Sequence, residues 1–252
     1  MSIGMPQGLT YGLNHSPTTL DERLVIGDQG YIDPLKRVTF LDDFLGDTLN
    51  TDLWASAVEA DGTDQSTIAL VEAHGGTVAL TLGSTAADFA NLASGISFST
   101  TYPGRLDVSL KVTGAANAVD NLVVGMTDAK TESGGDLCTN VTTPAIVPDD
   151  FMGWIYEVAN GGAFWYYGTA NNTTDTATLT TTTVSTSYQK LSVAWNADLS
   201  VNFYINDVLI GSLADAYRTG VALCPIIASA HIGGTGDPVI TVDYVHISQE
   251  RA

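Results

Sequence analysis

The side chains best suited to chemistry in this sequence are an aromatic run and scattered carboxylates. The run is Phe164-Trp165-Tyr166-Tyr167, and Trp154 stands before it. Aromatic rings stack on sugar rings because they offer flat apolar area with polar edges. On a strand, alternate side chains face opposite sides, so two members of the run point to the core and two point outward. We therefore predict that Trp154, Trp165, Tyr166 and Tyr167 serve core and interface packing, with a glycan-binding platform as the alternative.

The carboxylates lack the spacing of an acid–base pair. Asp42-Asp43 and Asp149-Asp150 are adjacent, so on a strand the two members of each pair point to opposite faces. Asp61-Gly62-Thr63-Asp64 offers oxygen ligands, but its glycine is misplaced for a calcium loop. The sequence predicts no catalytic residue, no metal site and no cofactor. The histidines also lack metal-ligand spacing: His15, His74, His231 and His246.

The charge balance restricts the partners. The 252 residues include 28 Asp and Glu against 9 Lys and Arg, a net charge of −19, and such a surface repels nucleic acid. The sequence has no apolar run long enough for a bilayer and no polybasic stretch, so we expect no membrane association. It begins without a secretion signal, which predicts synthesis in a cytosol. Cys138 and Cys224 are expected to be buried thiols, and whether they pair is left open.

Apolar and polar residues alternate over most of the chain after residue 38. From Leu106 to Val112 the even-numbered residues are apolar, while Asp107, Ser109 and Lys111 point the other way. Many short strands without intervening helices predict an all-β fold, a two-sheet antiparallel jelly-roll-like sandwich with an extended N-terminal arm. The other predicted strands are Thr77–Leu82, Asn121–Thr127, Gly153–Val158, Lys190–Trp195, Ser200–Ile205 and Pro238–Ile247.

Several segments predict how the strands connect. Asn206-Asp207 tolerates left-handed backbone, which predicts a tight turn inside a three-stranded meander over Leu191–Leu213. The threonine-rich segment 169–187 predicts an edge hairpin or a long polar loop. Thr85–Leu92 and Leu213–Tyr217 are the best helix candidates, and both are short enough to be one-turn connectors.

Residues 1–38 differ from the rest because proline and glycine interrupt them and no apolar period persists. They nevertheless carry large apolar side chains, which a solvated tail usually lacks. We predict an extended arm over residues 1–38 that docks on a partner, with a disordered tail as the alternative, and one sandwich domain over residues 39–252. The predicted partner-binding residues are Leu9, Tyr11, Leu13, Arg23, Val25, Ile26, Tyr31 and Arg37.

Five segments of the predicted sandwich carry a resemblance to a known fold family. They are Phe40–Phe44, Leu49–Trp54, Leu191–Trp195, Val201–Asn206 and Ile240–Val245. In order and spacing they resemble the strands of concanavalin A-like lectin and glucanase domains, over about residues 39–248. The resemblance implies a jelly-roll sandwich and one of three roles: glycan hydrolysis, glycan binding or a structural role.

The hydrolytic role implies a particular motif. Family 16 glycoside hydrolases, which share this sandwich, carry Glu-x-Asp-x-x-Glu or Glu-x-Asp-x-Glu on one strand, because alternate positions aim two carboxylates into one cleft. The sequence contains no such motif. Glu157 stands alone at the end of its predicted strand, so a divergent glycosidase would need a distant second acid. We therefore predict that the chain is not an enzyme.

An acidic sandwich with an apolar arm and no secretion signal is typical of virion proteins, which assemble in the host cytoplasm. In type it resembles the concanavalin-like domains of bacteriophage particles. We predict a non-catalytic capsid decoration protein whose arm binds the major capsid protein, another virion protein or a neighbouring copy by strand addition. A homo-oligomer, such as a trimer, follows from this hypothesis alone. The alternatives are a glycan- or receptor-binding, lectin-like head of a tail fibre and a divergent glycoside hydrolase.

Overall fold

A computed structural model gives the fold, and its regular structure is β throughout. In the part of the chain that it describes, the strands are β1 to β20. The described residues are 24–25, 31–32, 37–59, 65–71, 76–84, 88–113, 119–130, 137–139, 144–157, 164–172, 174–231 and 238–251. In chain order the strands are β1 (Leu24–Val25), β2 (Tyr31–Ile32), β3 (Arg37–Asp42), β4 (Trp54–Val58), β5 (Thr67–Val71), β6 (Thr77–Thr81), β7 (Phe89–Ser94), β8 (Phe98–Ser99), β9 (Gly104–Thr113), β10 (Val119–Thr127), β11 (Cys138–Thr139), β12 (Ala145–Ile146), β13 (Asp150–Glu157), β14 (Phe164–Asn171), β15 (Asp175–Thr183), β16 (Gln189–Trp195), β17 (Val201–Ile205), β18 (Val208–Leu213), β19 (Ala222–His231) and β20 (Val239–Glu250).

Two antiparallel sheets of eight strands form a sandwich, which confirms the predicted fold class. In sheet I the strand order is β15-β14-β13-β10-β19-β7-β4, with β8 also paired to β19. In sheet II the order is β18-β17-β16-β9-β20-β6-β5, with β3 paired to the second half of β20. Two short hairpins, β1–β2 and β11–β12, lie outside these sheets.

The main core lies between the two sheets. Period-two alternation turns Leu122, Val124 and Met126 of β10 toward sheet II, while the even-numbered residues of β9 from Leu106 to Val112 point toward sheet I. The largest side chains in this layer are fully buried, and Trp154 packs edge-on against Phe203 with ring centroids 5.7 Å apart. Burial of these rings from both sheets stabilises the sandwich.

Sheet I is buried on its outer face as well. A second apolar cluster covers that face and includes Val123, Phe151 and Ile155 from the central strands. Leu137, Cys138 and Ile146, from the β11–β12 hairpin and the residue before it, close the cluster from outside. The strands of sheet I therefore lie between two apolar layers, and their sequences contain long apolar runs without a polar face.

The meander β16–β17–β18 and its turn confirm the prediction for Leu191–Leu213. Asn206 and Asp207 connect β17 to β18, and both have positive φ angles, 50° and 64°. Two consecutive left-handed residues give the turn the twist that a two-residue hairpin needs. The threonine-rich β15 is the edge strand of sheet I, in agreement with the predicted edge hairpin.

The prediction of a one-turn connector over Thr85–Leu92 is wrong where the structure describes it. Residues 89–92 belong to β7, which lies between β19 and β4 in sheet I. Ala90 and Leu92 point into the main core, and Asn91 and Ala93 are buried on the other face. A strand covered on both faces loses its alternation, so its sequence resembles that of a short helix. After β18, residues 214–217 form neither strand nor helix, in agreement with the short connector predicted over Leu213–Tyr217.

Candidate functional site

The outer face of sheet II carries a polar row at its centre. β9 turns Arg105, Asp107 and Ser109 outward, and the strand register places Ser192 of β16 and His246 of β20 on either side of Asp107. Ser192 Oγ donates a hydrogen bond to Asp107 Oδ1 at 2.5 Å, and His246 Nδ1 lies 3.5 Å from Asp107 Oδ2. Three strands are thus joined by side chains as well as by backbone.

The Asp107 carboxylate is held in its ionised form. Burial raises the pKa of Asp107, but hydrogen bonds from His246 and Ser192 and the charge of Arg105 outweigh it, so the pKa lies below its usual 3.8. Tyr244 lies on β20, opposite Ser109 of β9. Burial and the negative charge of Asp107 raise the pKa of Tyr244 to about 12. Tyr244 therefore stays a neutral phenol beside a fixed anion.

Arg105 is fixed by four groups. Its Nε lies 2.8 Å from Asp107 Oδ1, and its Nη2 lies 3.0 Å from Ser192 Oγ and 3.2 Å from Asp207 Oδ1. The guanidinium also lies over the Tyr204 ring, 5.0 Å from its centroid. The three polar contacts use one edge of the planar guanidinium, and the Tyr204 ring covers its face. Together they hold the Arg105 side chain in place next to a pocket.

This pocket lies where four strands of sheet II end or begin, and we call it the strand-end pocket. Its volume is about 270 Å³. The start of β3, the start of β9, the end of β16 and the end of β20 meet there because Trp195 pairs with Gly104, Gly104 pairs with Gln249, and Glu250 pairs with Arg37. The pocket is lined by Arg37, Pro103, Gly104, Arg105, Trp195, Asn196, Ser248 and Glu250.

Trp195 forms the rigid side of the strand-end pocket. Its Nε1 donates a hydrogen bond to the Tyr102 carbonyl oxygen at 2.7 Å. The indole lies directly on Gly104, where a Cβ atom would come within 2.3 Å of Trp195 Cζ2. Glycine is needed at residue 104 because the ring occupies the side-chain space. Asn196 follows in the turn after β16, where its Nδ2 donates to Ser200 Oγ at 3.0 Å.

The four aromatic residues predicted from the sequence lie inside the protein. Trp154 and Trp165 are fully buried, and together with Tyr167 they contact the core between the sheets. Tyr166 points to the outer face of sheet I, where the second apolar cluster buries it. The alternation of the run is as predicted, but the glycan-platform alternative fails for these residues, because the outward side is also covered.

Among the predicted partner-binding residues of the arm, Arg37 is the one whose side chain the structure describes. Leu9, Tyr11, Leu13, Arg23 and Ile26 lie outside the described residues. Val25 and Tyr31 pair in the β1–β2 hairpin, and the structure describes only their backbone. Arg37 starts β3 and pairs with Glu250, so it belongs to the sandwich rather than to an arm.

Glu157, the carboxylate considered for hydrolysis, ends β13 on the outer face of sheet I. It is fully buried, and its cross-strand neighbour is Asn121. Asn121 Nδ2 donates to the Cys138 carbonyl oxygen at 3.0 Å, so the hairpin that covers the face is tied down next to Glu157. Ile155 and Gly153 precede Glu157 on the same face, which therefore receives one carboxylate from this strand.

The acidic pair Asp149-Asp150 has one member that is tied to the protein itself. Asp150 accepts two hydrogen bonds from the Arg218 guanidinium. Burial and the charges of Asp150 and Asp149 raise the pKa of Asp128. Among the described residues, no group of three or more His, Cys, Asp and Glu side chains could hold a metal ion. The segment Asp61–Asp64 lies outside that part of the chain.

Two further features concern thiols and membranes. Cys138 and Cys224 are buried thiols, and burial raises the pKa of Cys224 to about 11. A thiol with such a pKa is largely unreactive at neutral pH. In the described residues we find no helix that is both long and apolar enough to cross a bilayer.

Neither the protein-family models nor the curated proteins contain a match to this sequence. Solved structures do match. The Bacillus licheniformis β-glucanase is 14% identical, with a TM-score of 0.54 over 85% of this chain and 98% of the glucanase. The carbohydrate recognition domain of Emp47p is 9% identical, with a TM-score of 0.58 over 86% of this chain and 98% of that domain. A legume lectin-like domain from Entamoeba histolytica is 12% identical, with a TM-score of 0.53 over 77% of this chain and 89% of that domain.

These similarities correct one prediction. The sequence predicts that the chain is not an enzyme, but several of the similar structures are named as glycosidases, so that prediction does not stand. The missing motif excludes one arrangement of two carboxylates on one strand, and it cannot exclude hydrolysis on a fold that glycosidases share. The chain has the jelly-roll sandwich fold of the concanavalin A-like lectins and glucanases.

Proposed function

We propose that this chain is a lectin-like module that binds a glycan in the strand-end pocket. The observation that carries the proposal is the set of polar side chains around that pocket: Arg37, Asn196, Ser248 and Glu250. Sugars present hydroxyl groups that both donate and accept hydrogen bonds, together with apolar ring faces. This lining supplies donors and acceptors in one place.

The size and the stiffness of the pocket suit a short saccharide. A volume of 270 Å³ lies near the lower end of small-molecule sites, which run from about 300 to 1,000 Å³. Arg105 and Trp195 are already held by hydrogen bonds to Asp107 and Tyr102, so binding does not have to order them. Such preorganisation lowers the entropic cost of binding.

The names of the similar structures support carbohydrate as the ligand class. One is named as a carbohydrate recognition domain, one as a legume lectin-like domain and one as a β-glucanase. Fold similarity at these identities does not transfer a binding site, so the location rests on the strand-end pocket itself.

The test uses Glu250→Gln and a matched control. Glu250 is exposed at the end of β20, so removing its charge should leave the fold intact. Glu59→Gln makes the same chemical change beside sheet I, away from the pocket. The wild-type chain is screened on a glycan array, and the best ligand is titrated by calorimetry against both variants. We expect Glu250→Gln to weaken binding about tenfold or more, as for loss of a hydrogen bond to a charged group.

Two results would overturn the proposal. One is a wild-type chain that binds no glycan on the array, and the other is an equal effect of Glu250→Gln and Glu59→Gln. Incubation of the bound glycan with the chain, followed by chromatography, tests hydrolysis in the same series. Release of shorter sugars would show that the chain also hydrolyses the glycan that it binds.

The virion role stays a prediction. It depends on the arm, of which the structure describes two short strands and the residues from Arg37 onward. Density-gradient fractionation of the native source, with this chain counted by quantitative mass spectrometry, would test it. Hundreds of copies per particle are expected for a capsid decoration protein and a handful for a tail-fibre head. A chain that stays in the soluble fraction would contradict the virion role without affecting the glycan proposal.

A further inference from the structure

The strand-end pocket brings two arginines together in an acidic protein. The chain has a net charge of −19, yet two of its 9 basic residues, Arg37 and Arg105, line this one pocket. Asp107 and Asp207, the carboxylates that bind Arg105, do not line it. Glu250 is the pocket's one acidic lining residue.

The two arginines differ in what already holds them. Arg105 uses Nε and Nη2 for Asp107, Ser192 and Asp207, and its Nη1 takes part in none of those contacts. Arg37 is half-buried on the outer side of β3, and no carboxylate of the described residues forms an ion pair with it. Its cross-strand neighbour Glu250 is paired with it through the backbone. Arg218, in contrast, has a structural role, because its guanidinium forms an ion pair with Asp150.

We propose that the strand-end pocket selects an anionic sugar, one that carries a carboxylate or a sulfate group. This inference rests on the proposed glycan-binding function and names its ligand class. The anionic group binds the Arg37 guanidinium and the free side of Arg105, because a planar guanidinium matches two acceptor oxygens. Glu250 and Ser248 take the hydroxyl groups of the same sugar, since a carboxylate accepts from hydroxyls and a serine does both.

The remaining surface sets a limit on the charge of the ligand. At −19 the chain repels polyanions over distances of about one Debye length, roughly 8–10 Å at ordinary salt. A glycan with one acidic sugar places its charge at the arginines and keeps its neutral part over the acidic surface. A polysaccharide with a charge on every repeat places several anions against that surface, so we expect weaker binding per site.

The experiment compares one sugar with and without its charge. The probes are 3′-sialyllactose, its methyl ester, lactose, a lactose 3′-sulfate and heparin, each titrated by calorimetry against the full chain. We expect sialyllactose to bind about 10- to 100-fold more tightly than its methyl ester, the range for a hydrogen bond to a charged group. The lactose sulfate distinguishes the two sources of charge, and tight binding of either anionic sugar supports the inference.

Three variants locate the effect. Arg37→Gln should weaken binding of the acid far more than binding of the ester, because the ester lacks the charge that the guanidinium binds. Arg37→Lys should keep part of the preference, because it retains the charge and loses the planar fork. Lys111→Gln is the matched control: it removes a cation from the same face of sheet II, where Lys111 lies over the Tyr188 ring and outside the pocket. Thermal unfolding of each variant checks that the fold is retained.

The outcomes separate this inference from the proposed function. Equal binding of acid and ester, tighter binding of heparin than of any single-charge sugar, or an equal loss of both ligands in Arg37→Gln would overturn the inference. If neutral glycans bind and Glu250→Gln weakens them, the proposed function stands without the acidic preference. If no probe and no array glycan binds, both fail.

Discussion

The outer faces of the two sheets differ in what covers them. On sheet I, the face around Val123 and Ile155 is apolar, and the β11–β12 hairpin with Leu137 seals it. On sheet II, the corresponding face carries Arg105, Asp107 and Ser192 in a connected network that borders the strand-end pocket. One sandwich thus has an apolar face sealed by a hairpin and a polar face whose side chains hydrogen-bond to one another.

The hairpin over sheet I determines which side chains the outer face of that sheet carries. Gly125, Gly153 and Gly168 lie side by side on three strands of sheet I, and the space above them is filled. A Cβ on Gly153 would come within 2.6 Å of Phe151 Cζ, so the ring lies flat on the sheet. On sheet II the buried Asp107 and Ser192 satisfy one another through a hydrogen bond instead.

The largest expected effect comes from opening the closed face. Phe151 is 1% exposed in the second apolar cluster, so Phe151→Ala should cost about 3–5 kcal/mol of unfolding free energy. Tyr204→Ala on the outer face of sheet II removes a half-buried ring that contacts Arg105 and should cost about 1 kcal/mol. Urea denaturation measures both. Equal costs would show that the two faces are equally dependent on burial.

The next effect tests the network of sheet II. Asp107→Asn removes the charge that Arg105, Ser192 and His246 surround, and we expect a loss of about 1–3 kcal/mol at pH 7. Asp47→Asn, at an exposed loop position, should change the stability by less than about 0.5 kcal/mol. Comparable losses in the two variants would mean that the network does not stabilise the sheet.

The same variant predicts a pH dependence. The pKa of Asp107 is lower in the folded chain than its usual 3.8, so the ionised form stabilises the fold above that value. This contribution is lost as the pH falls from 3.8 through the folded-state pKa. We expect the stability difference between the wild type and Asp107→Asn to shrink below about pH 4, as measured by denaturation at several pH values. A difference that grows in acid would contradict the direction of the shift.

The smallest effect concerns the turn that supplies Asp207 to the network. Asp207 has a φ of 64° and lies 2.5 Å from Lys190 Nζ. Asp207→Ala should cost about 1 kcal/mol, because alanine is strained in this conformation and the exposed ion pairs contribute little. Asp207→Gly relieves the strain and should cost about 0.5 kcal/mol or less. If Asp207→Gly costs more than this, the ion pairs of Asp207, rather than the backbone conformation, account for the lost stability.

The sequence predicts the face of each strand better than it predicts what covers that face. The outward positions of Asp107, Ser109 and Lys111 follow from alternation alone, and the structure confirms them. The division of the run Phe164–Tyr167 is also as predicted, yet the outward Tyr166 is buried by a hairpin whose position no local pattern reveals. The failure at β7 has the same cause, because a strand buried on both faces shows no alternation.

The strand-end pocket was not predictable from the sequence. Arg37, Gly104, Trp195 and Glu250 are far apart in the chain, and each is unremarkable in its own segment. Their meeting depends on the order β16-β9-β20-β3 and on the register that places their ends together. A shift of one residue in any of these strands would turn its side chain to the other face.

Sequence alone therefore determined the strands that alternate, the turn at Asn206-Asp207 and the polar side of β9, because these follow from alternation and backbone preference within a few residues. Tertiary structure decided which face is sealed, where the four aromatic residues lie and that two arginines share one pocket. Those features depend on pairing between distant strands, and the free energy that selects a pairing comes from the whole core rather than from any one segment.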